Sequence, residues 1–228
     1  AADRARFFGE NLGPVFARER IGTKVLDWDH NWDQPQQPMT VLADPKARAF
    51  VAGVGWHCYA GDVAAQDQVR KAHPDKDVFF TECSGGQWAA KFDESFLWMM
   101  DKLIVGSTRG GARGVLMWNL ALDEKHGPHA GGCGDCRGVV TIDQATGAIE
   151  RNQEYYAFGH ASRFVKPGAV RVGSPADVAG LKTVAFVNPD GGRALIVLNQ
   201  TAEEKVFAIV DGARRLKGKL PARSAGTF

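Results

Sequence analysis

The feature that most constrains this chain is an alternation of helical and strand patterns, repeated four times over the first half of its 228 residues. Residues 3–20 place Phe7, Phe8, Leu12, Val15 and Phe16 at helical spacing, and Gly13-Pro14 predicts a kink or a division into two helices. Residues 23–31 read as the first strand, and Pro35 and Pro38 mark a loop after it. Asp44-Pro45 is an N-cap followed by proline at the first helical position, which opens a short helix through Phe50. Residues 51–59 form the second strand, residues 62–72 a helix, and residues 77–82 the third strand. A strongly amphipathic helix over 94–107 carries Phe96, Leu97, Met99, Met100, Leu103 and Ile104, and a fourth strand covers 112–120. Helices alternating with strands in this way predict an α/β fold, a parallel sheet with helical crossovers.

Each strand pattern ends in side chains able to do chemistry. The first closes on Asp29 and Asn31, the second on His57 and Tyr59, the third on Glu82, and the fourth on Trp118 and Asn119. Taken singly, each is more often structural. Parallel adjacent strands, however, bring all four ends to one edge of the sheet, the edge that carries the chemistry in barrels of this type. The third strand is the most pointed case. Val78-Phe79-Phe80-Thr81 runs into a lone carboxylate, and Cys83-Ser84-Gly85-Gly86 follows at once with small, flexible residues.

Composition narrows the function by exclusion. A net charge of +2 gives no electrostatic case for nucleic acid or an acidic membrane surface. Arg214, Arg215, Lys217, Lys219 and Arg223 gather near the end of the chain, interleaved with Gly and Leu as on a solvated strand face. No apolar run approaches the ~20 residues of a membrane span, and no apolar signal-peptide core follows Ala1. Cys58 and Cys83 sit at the ends of apolar patterns and read as free buried thiols. His126, His129, Cys133 and Cys136 leave two alternatives open: a loose zinc site of two nitrogens and two sulfurs, or a loop with free thiols or a local disulfide.

After Asp123 the pattern changes. Residues 124–138 are a loop rich in Gly and His, residues 139–143 a strand, Thr146-Gly147 a turn, and residues 152–164 a helix. From Pro167 onward, short strands are separated by turns; Asn188-Pro189-Asp190-Gly191-Gly192 joins strands over 183–187 and 194–199, and another strand covers 205–210. This predicts a small antiparallel β domain over 167–228 after a first domain over 1–166.

Four stretches together resemble glycoside hydrolase family 30, the glucosylceramidase group: Gly53-Val54-Gly55-Trp56-His57-Cys58-Tyr59, Phe79-Phe80-Thr81-Glu82-Cys83-Ser84-Gly85, Met117-Trp118-Asn119-Leu120-Ala121-Leu122-Asp123, and Tyr155 through Phe164. The resemblance implies an eight-stranded (β/α) barrel with a β-sandwich beside it, and cleavage of β-glycosidic bonds with retention and without a cofactor. It places Glu82 as the nucleophile at the end of the seventh barrel strand, and Asp29, His57, Tyr59, Trp118 and Asn119 in the sugar pocket, with Asn31 among them. The family's acid/base glutamate lies in an Asn-Glu-Pro motif at the end of the fourth strand, and that motif does not occur here. The resemblance therefore covers strands five to eight, half of a barrel, plus most of the sandwich, with half of a catalytic pair. Two readings compete: a β-glycosidase weak or inactive without its other half, and a non-catalytic sugar-binding or scaffold half-barrel. The second expects two copies related by a two-fold axis to close one barrel, their bare edges and inward Val25, Val54, Phe79 and Leu116 being covered in the pairing.

Overall fold

Four strands pair in parallel in the computed structural model, which describes residues 1–228. They are β1 (Val25–Asn31), β2 (Val51–His57), β3 (Asp77–Glu82) and β4 (Ala112–Val115), adjacent in chain order. The sheet lies in one of two compact units, residues 1–83 with 106–118; the other comprises residues 84–105 with 119–228. β4 is shorter than the sequence pattern, but its chain continues alongside β3 through bonds from the Leu116 N–H to the Phe80 carbonyl and from the Trp118 N–H to the Cys83 carbonyl.

Alternation along the strands sorts the two faces of the sheet. Val54, Trp56, Val78 and Phe80 are buried together. Gly53, Gly55, Phe79 and Thr81 take the alternate positions, and Leu116, beyond β4, is 50% exposed. Of the apolar groups expected on the bare face, Val54 is therefore corrected to the covered one, because it shares its parity with Trp56. β1 and β4 are the edge strands.

The crossover helices differ from the sequence reading where backbone hydrogen bonding overrides local propensity. Residues 2–18 form one helix, α1, without a break at Gly13-Pro14, because its middle turn, Phe7–Leu12, is π-helical. There the Gly13 N–H bonds to the Phe8 carbonyl five residues back, and this wider turn admits Pro14, which has no N–H to offer. A Cβ on Gly13 would lie 2.1 Å from the Phe50 ring, so the glycine is needed for packing. The segment read as a loop is α2 (Gln36–Ala43); Pro38 falls in its first turn, where no intrahelical acceptor is lost. α3 (Pro45–Phe50) is capped as expected, the Asp44 carboxylate accepting from the N–H groups of Lys46 and Ala47 at 2.8 and 2.9 Å. α4 (Ala64–Ala72) leads into β3, and α5 (residues 92–107) precedes β4, its second half π-helical.

In the second unit, β5 (Ala121–Asp123) pairs parallel with β6 (Val140–Ile142), and β6 pairs antiparallel with β7 (Ile149–Arg151). α6 (Gln153–Ser162) follows. The remainder is antiparallel. β8 (Val170–Val172), β9 (Leu181–Val187), β10 (Arg193–Asn199) and β13 (Ser224–Thr227) form one sheet, with Asp177–Val178 beside β9. β11 (Lys205–Asp211) and β12 (Arg214–Leu220) form a hairpin. Leu181, Val197 and Leu220 are buried together against Leu195 and Phe207, joining the hairpin to the sheet. Arg214, Arg215, Lys217 and Lys219 are exposed on β12, the solvated strand face expected of that basic cluster.

One ion pair fastens α1 to β1. Asp27 is fully buried and receives the Arg4 Nε–H at 2.5 Å. Removing Arg4 leaves a buried carboxylate without its counter-charge, a loss of about 3–5 kcal/mol. Arg4→Met should therefore lower the urea-unfolding free energy by that order, and Arg4→Met/Asp27→Leu should recover most of it. An unchanged midpoint for Arg4→Met would refute the brace.

Candidate active site

The carboxyl ends of β1, β2 and β3 assemble a hydrogen-bonded cluster around Glu82. Parallel pairing sets His57 directly opposite Glu82 across the β2–β3 ladder, with a register shift between Trp56 and His57. Past that point the Tyr59 hydroxyl donates to Glu82 Oε1 at 2.9 Å, while His57 Nδ1 stands 3.9 Å from the same oxygen. Burial, the bond to Glu82 and its negative charge all push the Tyr59 phenol well above the usual tyrosine range. Tyr59 is thus a protonated donor across the neutral range, and it leaves Glu82 Oε2 free of that bond.

His57 also faces the other way, its Nε2 lying 3.0 Å from Asp29 Oδ1. The same oxygen accepts from the Thr81 hydroxyl at 2.6 Å. For Asp29, partial burial opposes ionisation, but the hydrogen bonds from Thr81 and His57 and the nearby His57 and His30 outweigh it, holding the carboxyl below its ordinary value. An ionised carboxylate only accepts, so His57 Nε2 carries the proton of that bond.

Asp29 reaches this position through an irregular strand end. The β1–β2 register shifts between Trp28 and His30, and Trp28 and Asp29 adopt left-handed backbone, φ 72° and 50°. Three contacts hold the irregularity. The Trp28 indole N–H donates to the Asn31 carbonyl at 2.8 Å, Arg4 lies 5.5 Å from the centre of the indole, and the Asn31 side-chain oxygen accepts the Tyr59 N–H at 3.0 Å. Gly55 supplies the space: a Cβ there would stand 3.1 Å from both Asp29 Oδ1 and Thr81 Oγ1. Cys58 and Cys83, read from the sequence as free thiols, are instead joined as a disulfide, because the neighbouring strand ends bring their Cα atoms to 5.4 Å.

The structure thus brings Asp29, Asn31, His57, Tyr59 and Glu82 together. Trp118 is tied through its backbone to Cys83, next to Glu82, and its indole is 58% exposed. Asn119 opens the second unit, its carbonyl accepting from the Val139 N–H at 3.0 Å. Sequence reading passed over Thr81, Trp28, His30 and Gly55. Thr81 had one signal, its place next to Glu82 at a strand end already singled out. The left-handed pair had none: Trp28 disfavours that backbone, and Asp29 belongs to a type that tolerates it without announcing it.

The zinc alternative gives way to the local disulfide. Cys133 and Cys136, three residues apart in a loop, are bonded with Cα atoms 5.5 Å apart, and His126 Nε2 lies 2.5 Å from the Gln87 side-chain nitrogen. No group of three or more His, Cys, Asp or Glu side chains is placed to hold a metal ion. A cavity of about 410 Å³ opens at the opposite end of the sheet, among Phe8, Phe16, Ile21, Val25 and Phe50. It lies where the strands begin, away from the Glu82 cluster, and its walls mix these apolar groups with Thr23, Lys24, Asp75 and Lys76.

Comparison with known proteins bears on the whole chain. Residues 1–165 match the model of the glycosyl hydrolase family 30 TIM-barrel domain, and residues 168–228 that of the family's β-sandwich domain. An endo-1,6-β-D-glucanase of Neurospora crassa is 34% identical over 218 residues, 88% of this chain and 43% of that protein. The lysosomal acid glucosylceramidase of Mus musculus is 28% identical over 223 residues, 90% of this chain and 42% of that protein. The solved endo-β1,6-glucanase BT3312 superimposes with a TM-score of 0.89 at 32% identity, covering 98% of this chain and 52% of that one. The chain spans about half the length of the relatives it matches.

Thr81→Val offers a direct check on the Asp29 environment. Losing the hydroxyl should raise the Asp29 titration midpoint, read by NMR of the side-chain carboxyl. The sign follows from linkage. A depressed carboxylate stabilises the fold above its unfolded value of about 4 and ceases to do so as pH falls through its folded value. The stability gap between native protein and Thr81→Val should accordingly be present at neutral pH and close in acid. An unmoved midpoint would sink the assignment.

Proposed function

The chain belongs to glycosyl hydrolase family 30, matching both its barrel and its sandwich domain, and from that premise we propose that it carries the nucleophile half of a retaining β-glycosidase. The observation that carries this reading is the placement of Glu82 at the carboxyl end of β3 with the Tyr59 hydroxyl on one of its oxygens. In the reaction, the free carboxylate oxygen of Glu82 attacks the anomeric carbon while the leaving oxygen is protonated by a second carboxyl ~5 Å away. A glycosyl ester forms on Glu82, and water then resolves it with retention. Tyr59, bonded to the other oxygen, fixes the carboxylate plane, and His57 is oriented beside it by Asp29. Asp29, Asn31, His57, Tyr59, Trp118 and Asn119 form the sugar-binding set. β-Glucosyl linkages are the substrate class. Glucanases acting on 1,6-β-linkages stand among the relatives beside glucosylceramidases, and the closely superimposing BT3312 supports a β-1,6-glucan before a glucosylceramide.

In this reading β1 to β4 are strands five to eight of the barrel, residues 1–166 its half and residues 167–228 the sandwich. The general acid then lies outside this chain. Asp29 does not replace it, because a carboxyl held ionised cannot donate a proton to a leaving group. Unactivated glucosides should be turned over by the chain alone more slowly by a factor of about 10²–10⁴ than with the acid in place. A 2-deoxy-2-fluoroglucosyl fluoride needs no acid to release fluoride. It should therefore label the intact chain once, at Glu82, as read by mass spectrometry of peptides. Glu82→Gln should take no label; labelling of that variant at an equal rate would overturn the nucleophile assignment.

A second reading, a sugar-binding half-barrel that pairs with its own copy, is favoured by the edges. β1 and β4 have no outer partner, and Leu116 lies half exposed between them and solvent. Two copies related by a two-fold axis would join β1 of one to β4 of the other. Light scattering across a dilution series should give twice the chain mass at micromolar concentration; a well-folded monomer there would exclude the pairing.

A further inference from the structure

The Cys58–Cys83 disulfide is flanked by the site on both sides. Cys58 lies between His57 and Tyr59, and Cys83 follows Glu82 directly. We propose that this disulfide is a positioning cross-link for the reacting carboxylate, fixing Tyr59 against Glu82 where the backbone ladder no longer does; the proposal rests on Glu82 acting as proposed above.

The need for such a link follows from where β2 and β3 stop pairing. Their register runs from Gly53 opposite Asp77 to His57 opposite Glu82, is already shifted at the last step, and ends there. Tyr59 stands two residues beyond the end of that ladder, and its side chain must still meet Glu82 Oε1 at hydrogen-bond distance. Across this gap the Asn31 side chain holds the Tyr59 N–H from β1, Gly61 packs closely on Trp32 and Asp33, and from the β3 side the disulfide supplies the covalent tie. The Cys83 end is itself immobilised. Its side chain is buried, 1% exposed, and its carbonyl accepts the Trp118 N–H at 2.8 Å. The covalent link thus runs from an anchored point beside Glu82 to the point beside Tyr59. Geometry held to a fraction of an ångström is what a positioned nucleophile requires, and a misplacement of about 1 Å costs up to 10²-fold in rate.

The test uses the full chain with Cys58→Ser/Cys83→Ser, and Cys133→Ser/Cys136→Ser as the control, each first shown folded by circular dichroism. Two readouts separate this proposal from the catalytic one. The first is spectrophotometric titration of the three tyrosines. The titratable groups facing the Tyr59 phenol are Glu82 from β3 and His57 from the end of β2, with Asp29 beyond His57. In the native protein one phenol should remain un-ionised at pH about 11.5, well past the ordinary tyrosine value of about 10; Tyr59→Phe should remove that late phenol. In Cys58→Ser/Cys83→Ser it should ionise with the rest. The second readout is the rate of labelling by the fluoroglucosyl fluoride at saturation, expected to fall by roughly ten- to a hundredfold with the same variant. Both readouts should be unchanged in the control. If the double variant does not fold, Cys133→Ser/Cys136→Ser compared before and after dithiothreitol isolates the Cys58–Cys83 bond, the disulfide becoming two thiols as the reagent closes to its cyclic disulfide. A late phenol that persists in folded protein without the Cys58–Cys83 bond overturns the positioning role. A late phenol that disappears while no form ever takes the label keeps the cross-link and removes the nucleophile assignment instead.

Discussion

Parallel pairing of four consecutive strands is the constraint on which the site depends. Because each crossover helix returns the chain to the same starting edge, every strand must deliver its last residues to the opposite one. Asp29, His57 and Glu82 are 53 positions apart from first to last in the chain, yet they meet because the ladder stacks their strand ends side by side. Only Tyr59, two residues past the end of β2, reaches the cluster from outside the ladder. The buried stripe of Val54, Trp56, Val78 and Phe80 fixes which residues face the other way, and with them the positions of Gly55 and Thr81. Hydrophobic parity thus aims Thr81, whereas Glu82, of the same parity as Phe80, is set opposite His57 by the register shift at the end of the ladder.

Much of this was legible in the sequence, and the limits have physical reasons. The strand order, the Asp44 cap, the hairpin at Asn188 and the convergence of the strand ends all follow from periodicity and turn chemistry, which are local. What escaped was decided by tertiary bonding. Pro14 reads as a break, but a π-turn gives it room; Pro38 reads as a loop, but it falls where a helix needs no donor. Two thiols 25 residues apart give no sign of pairing until β2 and β3 are set in register. The shift at Trp28 and Asp29 is the hardest case, because the Trp28 backbone runs against residue preference and is held by contacts to Arg4 and Asn31.

The segment after Glu82 shows the same logic in the second unit. Gly85–Gly86 pairs with Cys136–Arg137, and Arg137 forks onto the fully buried Glu154 of α6 at 2.7 Å while also donating to the Gly86 carbonyl at 3.2 Å. A Cβ at Gly85 would fall 1.7 Å from the Glu154 carboxylate. The glycines that looked like flexibility in the sequence are thus positions where close packing excludes a side chain, Gly85 against the buried ion pair and Gly86 against the Trp88 ring.

The left-handed pair at the end of β1 also sets the direction in which this protein would drift under selection for heat resistance alone. A non-glycine residue in that backbone carries about 1–2 kcal/mol of steric strain. Relief is one codon change away in spirit for either position: asparagine or glycine at residue 29 would relax the chain, and so would glycine at residue 28. Either change at 29 discards the carboxylate that orients His57, and the change at 28 discards the indole beneath Arg4. A screen that rewards survival at high temperature alone should therefore enrich changes at these two sites that keep the fold and give up the Asp29–His57 geometry, a local instance of the exchange between robustness and performance.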